Sequence, residues 1–396
     1  MPLSLDTLTD AVARHAAIRR TRRLQPAGGP GDKIFPPTYP IEDKARHVFE
    51  TRRIDGEKVE CVLIDSVASQ ANRLEEALIR AGRAGEAVVP AIETDFSNGD
   101  LADLGQISTY EAPHRVFDAI IRDSQHGNTA FPASALGRAL QHARLDRATA
   151  MLEASPNALL FGAWNSTGEG GGLGAKFPRV LVSEIVGIDA QGGYKVASRI
   201  DPVGTSKNVE IFMDEYRNWA FNKDDLSGKS KKKVKPSEIN HSNIAPNVDK
   251  GGVTIDHARH TAVITLAGLR RLRFPDSEGT VTPERDTAAR TLLATMGLYA
   301  LAAQDRDGYA LRSRCDLVPE DGATFELVAG NGDTETFDLD LDAARDLYAE
   351  AVAAARAAGF VLDARPTRLT PNERLVELVQ KSRAKAEAGQ ADAEAD

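Results

Sequence analysis

The sequence predicts an α+β fold in which six elements follow the order βαββαβ along 396 residues. Three observations predict it. Residues 57–82, EKVECVLIDSVASQANRLEEALIRAG, join an apolar run rich in β-branched residues to an amphipathic stretch; the later runs at 179–188 and 260–269 have strand composition; and Pro283 to Gln304 has helical periodicity. Val59, Cys61, Leu63 and Ile64, after an Asp55-Gly56 turn, give a strand over 58–65. Asp65 or Ser66 then caps a helix over 66–82, in which Val67, Ala71, Leu74, Leu78 and Ile79 recur at helical spacing. Strands at 179–188, 260–269 and 308–317 and a helix at 284–304 complete the series.

The N-terminal residues 5–23 read as a further helix, with Leu5, Leu8, Val12 and Ala16 on one stripe and arginines gathered toward its end. The segment LQPAGGPGDKIFPP that follows is a shaped loop, because Pro26, Pro30, Pro36 and Pro37 and three glycines forbid helix or central strand. Lys33 stands in it. Residues 87–157 read as a helical insertion with a short strand near VVPAIE. ALLFGAWN at 158–165 reads as a strand ending at Trp164, and STGEGGGLGAKF as a flexible loop. That loop is no phosphate-binding Walker motif, since Ala175 separates Gly174 from Lys176 and a strand, not a helix, follows. A hairpin turning at Gly192-Gly193 is expected over 189–200, then a long polar loop over 201–258 containing a lysine run. A hairpin at 324–338, helices at 341–358 and 371–385, and a disordered acidic tail at 386–396 end the chain, which is read as a single domain over 1–380 carrying these insertions.

Composition narrows the function classes. Net charge is −9, yet residues 276–396 hold 13 Lys or Arg against 24 Asp or Glu, so residues 1–275 are left at +2 with basic clusters at 14–33 and 229–235. A local groove for a polyanion is therefore permitted. No apolar run reaches the roughly 20 residues of a membrane span, the N-terminus lacks the pattern of a secretory signal, and a cytoplasmic protein without membrane contact is expected. Two cysteines make neither a disulfide framework nor a zinc site. His257 and His260 form a close pair but have no evident carboxylate or Cys partners, and no nucleophile elbow or spaced acid-base pair stands out. We expect no enzyme, no cofactor and no metal.

The order βαββαβ is that of an RNA-recognition motif, although the aromatic residues that stack bases on its sheet are missing, so gripping of a backbone is expected in place of base reading. The first two turns of the 66–82 helix crowd Ser66, Ser69, Gln70, Asn72 and Arg73 where free amides and the helix dipole attract phosphate.

Longer strings carry a resemblance. LQPAGGPGDKIFPPTY at 24–39, CVLIDSVASQANRLEEAL at 61–78, FGAWNSTGEGGGLGAKFPRVLVSEIVG at 161–187 and GLRRLRFP at 268–275 resemble the backbone subunit of the type I-U (also called I-G) CRISPR Cascade complex, of the repeat-associated RNA-binding superfamily. The resemblance implies a modified RNA-recognition-motif (ferredoxin-like) palm, a thumb from 201–258, and several copies in a head-to-tail filament along a CRISPR RNA. It implies further partners in the target DNA strand, other Cascade subunits and the helicase-nuclease. The segment from Ser69 to Arg73 is similar to a Ser-Gln-containing helix start in these subunits. The residues expected to meet RNA are Arg19, Arg20, Arg22, Arg23, Gln25, Lys33, Ser69, Gln70, Asn72, Arg73, Asn165, Ser166, Lys176 and Arg179. In the polar loop they are Lys229, Lys231, Lys232, Lys233, Lys235, His241 and Asn243. A metal-dependent endoribonuclease on the same palm is the alternative, and a small-molecule enzyme using the Gly-rich loop is a third.

Overall fold

The stretch expected to be one basic helix is two elements. A computed structural model, which describes residues 3–41, 44–166, 174–322 and 324–392, gives a helix α1 at Leu5–Arg14, capped by the Ser4 hydroxyl, and then a strand β1 at Ala17–Pro26. Along β1, Ile18, Arg20, Arg22 and Leu24 are buried while Arg19, Thr21 and Arg23 are exposed. That period is two, the signature of a strand. Reading the arginines as polar surface hid it, because two of them occupy core positions.

β1 lies inside a large antiparallel sheet. β2 (Phe49–Ile54) and β3 (Glu57–Asp65) form a hairpin at Asp55 and Gly56, whose φ values of 51° and 87° are those of the tight turns that suit strand twist. Helix α2 (Val67–Arg83) follows, with the Ser66 side chain accepting from the Ser69 N–H at 3.3 Å. After the insertion come β4 (Leu181–Ile188), β5 (His257–Thr265), α3 (Pro283–Asp307), the hairpin β6 (Tyr309–Arg312) and β7 (Cys315–Pro319), the hairpin β8 (Thr324–Val328) and β9 (Thr334–Asp338), and α4 (Leu341–Ala357). The strand order is β6-β7-β1-β5-β4-β3-β2, with β8 also beside β1 and β9 beside β8. The register places Arg19 against Val263 and Arg23 against Arg259 on β5, and Val263 against Val182 on β4.

Three sequence-read boundaries change. The strand at 260–269 stops at Thr265, whose hydroxyl accepts from the Gly268 N–H and caps a single turn, Leu266–Leu269. The strand at 308–317 is a hairpin, reversed at Arg314 with a φ of 60°. Residues 158–165 are not a strand: Asn157–Phe161 is a buried helical turn, and only Ala163–Trp164 is extended.

The main core fills the face of the sheet that carries Ile18, Leu181, Ala262 and Ile264, against α1, α2, α3 and α4. α3 is buried almost continuously from Ala289 to Gln304, as expected of a helix that is apolar on all sides. The insertion has its own five-stranded sheet, in which Thr367–Pro371 runs parallel to Ile92–Asp95. The chain divides into two compact units, residues 1–191 with 253–372, and residues 192–252 with 373–396. In the second unit, strands Ile211–Asp214, Trp219–Ala220 and Lys231–Val234 form one sheet, and Gln191–Arg199 pairs with Ile244–Thr254. Neither the 189–200 hairpin nor the structureless 201–258 loop is therefore present. Most side chains of Gln191–Arg199 and Ile244–Thr254 are exposed, so no apolar alternation marks that pair, while Ile211, Met213 and Val234 form a small buried cluster in the other sheet. The last helix, Glu373–Asp392, runs through 386–392, where a disordered tail was expected, and 393–396 lie outside the described residues.

Candidate nucleic-acid interface

The two faces of β1 put its arginines to different uses. On the core face Arg20 is 1% exposed and donates to Asp305 at 2.5 Å; Arg22 reaches the same carboxylate at 2.9 Å and the Asp321 carbonyl at 2.9 Å. These two are structural in this conformation. On the opposite face Arg19 pairs with Glu326 at 2.6 Å, and Arg23 with Glu320 at 2.9 Å and Asp256 at 3.6 Å; both arginine side chains are nearly half exposed. Thr21, the half-buried Gln25 and, from β5, Arg259 and Thr261 share that face by register. Arg259 makes no ion pair among the described residues. It was missed in the sequence because it sits one residue before a buried histidine; its period-two relation to Thr261 and Val263 was the available signal.

An exposed ion pair is worth about 0–1 kcal/mol, so a phosphate can displace Glu326 or Glu320 at small cost. Polyanion binding on this face is thus chemically accessible, and its strength must fall with salt.

The start of α2 is less open than its composition suggests. Gln70 is buried and donates to Asp65 at 2.7 Å, and Arg73 donates to the same carboxylate at 3.0 Å and to the Leu311 carbonyl at 2.7 Å. Of the expected set there Asn72 is exposed, whereas Ser69 is half-buried. Gln70 instead begins an internal chain. Its amide oxygen accepts from Ser183 at 2.8 Å and Gln304 at 3.2 Å, Ser183 lies 2.7 Å from His260 Nε2, and His260 Nδ1 lies 3.4 Å from Arg20 and 3.2 Å from the Tyr309 hydroxyl, which donates to Asp305. A guanidinium only donates, so Nδ1 must be an acceptor and Nε2 must carry the proton that Ser183 accepts. Burial, then the charges of Arg20 and Arg22, hold the His260 imidazole well below its ordinary pKa, consistent with that neutral tautomer. Ser183 and His260 have the spacing of a nucleophile and base, but they are 2% and 0% exposed, and no substrate reaches them here.

Asn165 and Trp164 stand at the base of the Gly-rich loop; residues 167–173 of that loop lie outside the described residues. Lys176 pairs with Trp164 across two short strands, its ammonium 5.5 Å from the indole centroid. Ser166 is exposed. Arg179 donates to the Phe161 carbonyl at 3.0 Å, and burial, with Arg115 nearby, lowers its pKa. Lys33 is half-buried in its loop, where its backbone N–H donates to Asp32.

In the second unit Lys229, Lys232, Lys233 and Lys235 are exposed and Lys231 is half-buried. Lys233 pairs with Glu210. Trp219 there meets the His241 ring at 6.2 Å and Phe221 at 5.7 Å, an aromatic cluster beside lysines that sequence reasoning passed over. Asn243 is a loop fastener, accepting from the Asp201 N–H at 2.7 Å.

His257 pairs with Asp256 at 2.7 Å while His260 faces the core, so the two histidines do not converge. Among the described residues no group of three or more His, Cys, Asp or Glu is placed to hold a metal ion. Cys61 and Cys315 are buried and free, and burial pushes the Cys315 thiol up to about 12. Among the described residues no helix is long and apolar enough to cross a membrane.

Fold and surface together define an α+β protein with an antiparallel sheet that offers cations on one face. Residues 18–192, under half of the chain, match the family described as CRISPR-associated protein GSU0053. The crystal structure of Thermofilum pendens Csc2 is similar at 11% identity, covering 98% of this chain and 83% of that one, with a TM-score of 0.26. No curated protein matches the chain in sequence.

Proposed function

We propose that this chain is a non-catalytic RNA-binding backbone subunit of a type I-U (I-G) CRISPR Cascade complex. The observation that carries the reading is the family match over residues 18–192, which spans β1, α2 and β4. The sheet supports it. This reading takes the order β7-β1-β5-β4, with α2 after the first strand and α3 after the third, as the split βαβ arrangement of an RNA-recognition-motif palm. The first strand of that palm is β1, and β2 and β3 are an added hairpin.

In this reading the exposed face of β1 and β5 grips phosphates, and the 192–252 segment is the thumb. Copies stack head to tail along one CRISPR RNA through a heterologous contact that does not close. The assembled complex then pairs with a target DNA strand and engages other Cascade subunits and the helicase-nuclease.

The test is binding of the purified chain to labelled CRISPR-type RNA of graded length over a salt series, with products run on a denaturing gel. Intact RNA bound in length steps is expected. Each phosphate neutralised on a single strand adds about 0.7 to the slope of log affinity against log salt, so Arg19→Ala with Arg23→Ala flattens it by up to about 1.4. No binding at low salt would sink the reading, and divalent-dependent cleavage would replace it with a nuclease.

A further inference from the structure

A cavity of about 540 Å³ opens in the insertion, between the short helix Ala135–Gln141 and the base of the Gly-rich loop. Its walls are apolar in part, including Phe117 and the buried Phe131, and its polar lining includes Arg122, Arg138, His142 and Asn165. Among the described residues that line it none is acidic. Its size falls within the roughly 300–1,000 Å³ of small-molecule sites, which join apolar walls to a few placed polar groups.

Two observations separate this cavity from a packing defect. Asn165 is only 9% exposed, lines the cavity, and its side-chain amide has no hydrogen-bond partner among the described residues. Its backbone is fixed independently, donating to the Ala175 carbonyl at 2.8 Å. That amide opens into the cavity, where its oxygen can accept from and its NH2 can donate to a ligand edge that presents a donor beside an acceptor. The second observation is charge. Arg122 already carries Asp123 at 2.7 Å, but Arg138 meets no carboxylate; it donates only to the Ala133 carbonyl, leaving most of its guanidinium for an incoming anion.

A flat apolar body, an edge with paired donor and acceptor, and an anion describe a nucleotide. We propose that this cavity is a binding site for a single nucleoside monophosphate group, with the base against the apolar walls, Asn165 at its edge and the phosphate on Arg138. The source we assign is a nucleotide turned out of a bound strand, an assignment that rests on the RNA-binding reading above; a free nucleotide shares the same chemistry.

The experiment titrates the full-length chain calorimetrically with AMP, GMP, CMP and UMP and with the matching nucleosides. One-to-one saturable binding of at least one nucleotide is expected, at least tenfold tighter than its nucleoside. Arg138→Glu, at an exposed position, should weaken it at least tenfold, and Asn165→Ala should weaken it while keeping the preference for phosphate. No saturable nucleotide binding, or an unchanged affinity in Arg138→Glu, overturns the site. A single-stranded RNA carrying 2-aminopurine supplies the second arm. A fluorescence rise on binding that Arg138→Glu abolishes upholds the strand as the source, and nucleotide binding without that rise overturns it. RNA bound with no nucleotide binding removes the cavity and leaves the proposed function standing; nucleotide bound with no RNA binding does the reverse.

Discussion

Arg115→Met is expected to destabilise the chain by about 3–5 kcal/mol, the cost of leaving a buried charge without its partner. Arg115 meets Glu75 through two bonds of 2.7 Å, and its remaining nitrogen donates to the Gly162 carbonyl at 3.0 Å. Glu75 is 1% exposed, and Asn157 donates to it at 2.7 Å. This pair ties α2 to the insertion. Burial raises the Glu75 pKa even with Arg115 in place, so without it the carboxyl must take a proton or remain charged in the interior. A folded-state pKa above the unfolded value means that the folded state holds the proton more tightly, and stability then falls as pH rises. The deficit of Arg115→Met should therefore be smallest in acid and grow as pH climbs past the already raised pKa that Glu75 has in the wild-type fold. Urea unfolding followed by circular dichroism between pH 4 and pH 7 measures it. A loss under about 1 kcal/mol at pH 7 contradicts the mechanism, as does a Glu75→Gln/Arg115→Met double variant no more stable than the single one.

His260→Gln is expected to remove one proton's worth of pH dependence from folding. The imidazole faces Arg20 and Arg22 on β1, Tyr309 on β6 and Ser183 on β4, with Asp305 on α3 reached through the Tyr309 hydroxyl, and its pKa is held well below 6.5. A depressed pKa means that the unfolded chain takes up the proton first as pH falls. Stability from this group is full above about 6.5 and is lost below it at about 1.4 kcal/mol per pH unit, until the folded pKa is reached. The wild type should thus weaken between pH 6.5 and pH 5 faster than the variant by that slope. Equal slopes would mean that His260 is protonated in the folded state, and the hydrogen-bond order from Arg20 to Gln70 would have to be reversed.

The parts of this molecule that were legible in the sequence are those in which one face is apolar and the other polar. β3 and α2 were found because Val59, Cys61, Leu63 and Ile64, then Ala71, Leu74 and Leu78, keep the periods of their elements. β1 was misread for a physical reason. Its core positions hold Arg20 and Arg22, which stay inside only because Asp305, far along the chain, receives them. No local pattern shows that. The paired strands Gln191–Arg199 and Ile244–Thr254 were lost for the opposite reason, since mostly exposed side chains leave little periodicity to detect. Of the expected RNA contacts, Arg19, Arg23, Asn72 and the lysines of 229–235 do lie at the surface, whereas Arg20, Arg22 and Gln70 answer to buried partners. Lysine and serine-rich stretches reveal polarity, but a side chain's partner is a property of the fold.

The position of β1 in the sheet also has a consequence for synthesis of the chain. Its register partners on β5 begin with Thr265 opposite Ala17, and β7 and β8, on its other side, are made later still. At about 5–20 residues per second, this strand leaves the ribosome on the order of 10–50 s before anything in its own sheet can pair with it. An apolar strand waiting that long with bare edges is a template for aggregation. AIRRTRRLQP instead carries four cations through the interval, each a gatekeeper against pairing with another nascent chain. Two of those cations later share the single carboxylate of Asp305, at the end of α3, so the waiting strand is protected by the same arginines that lock it once its partners arrive.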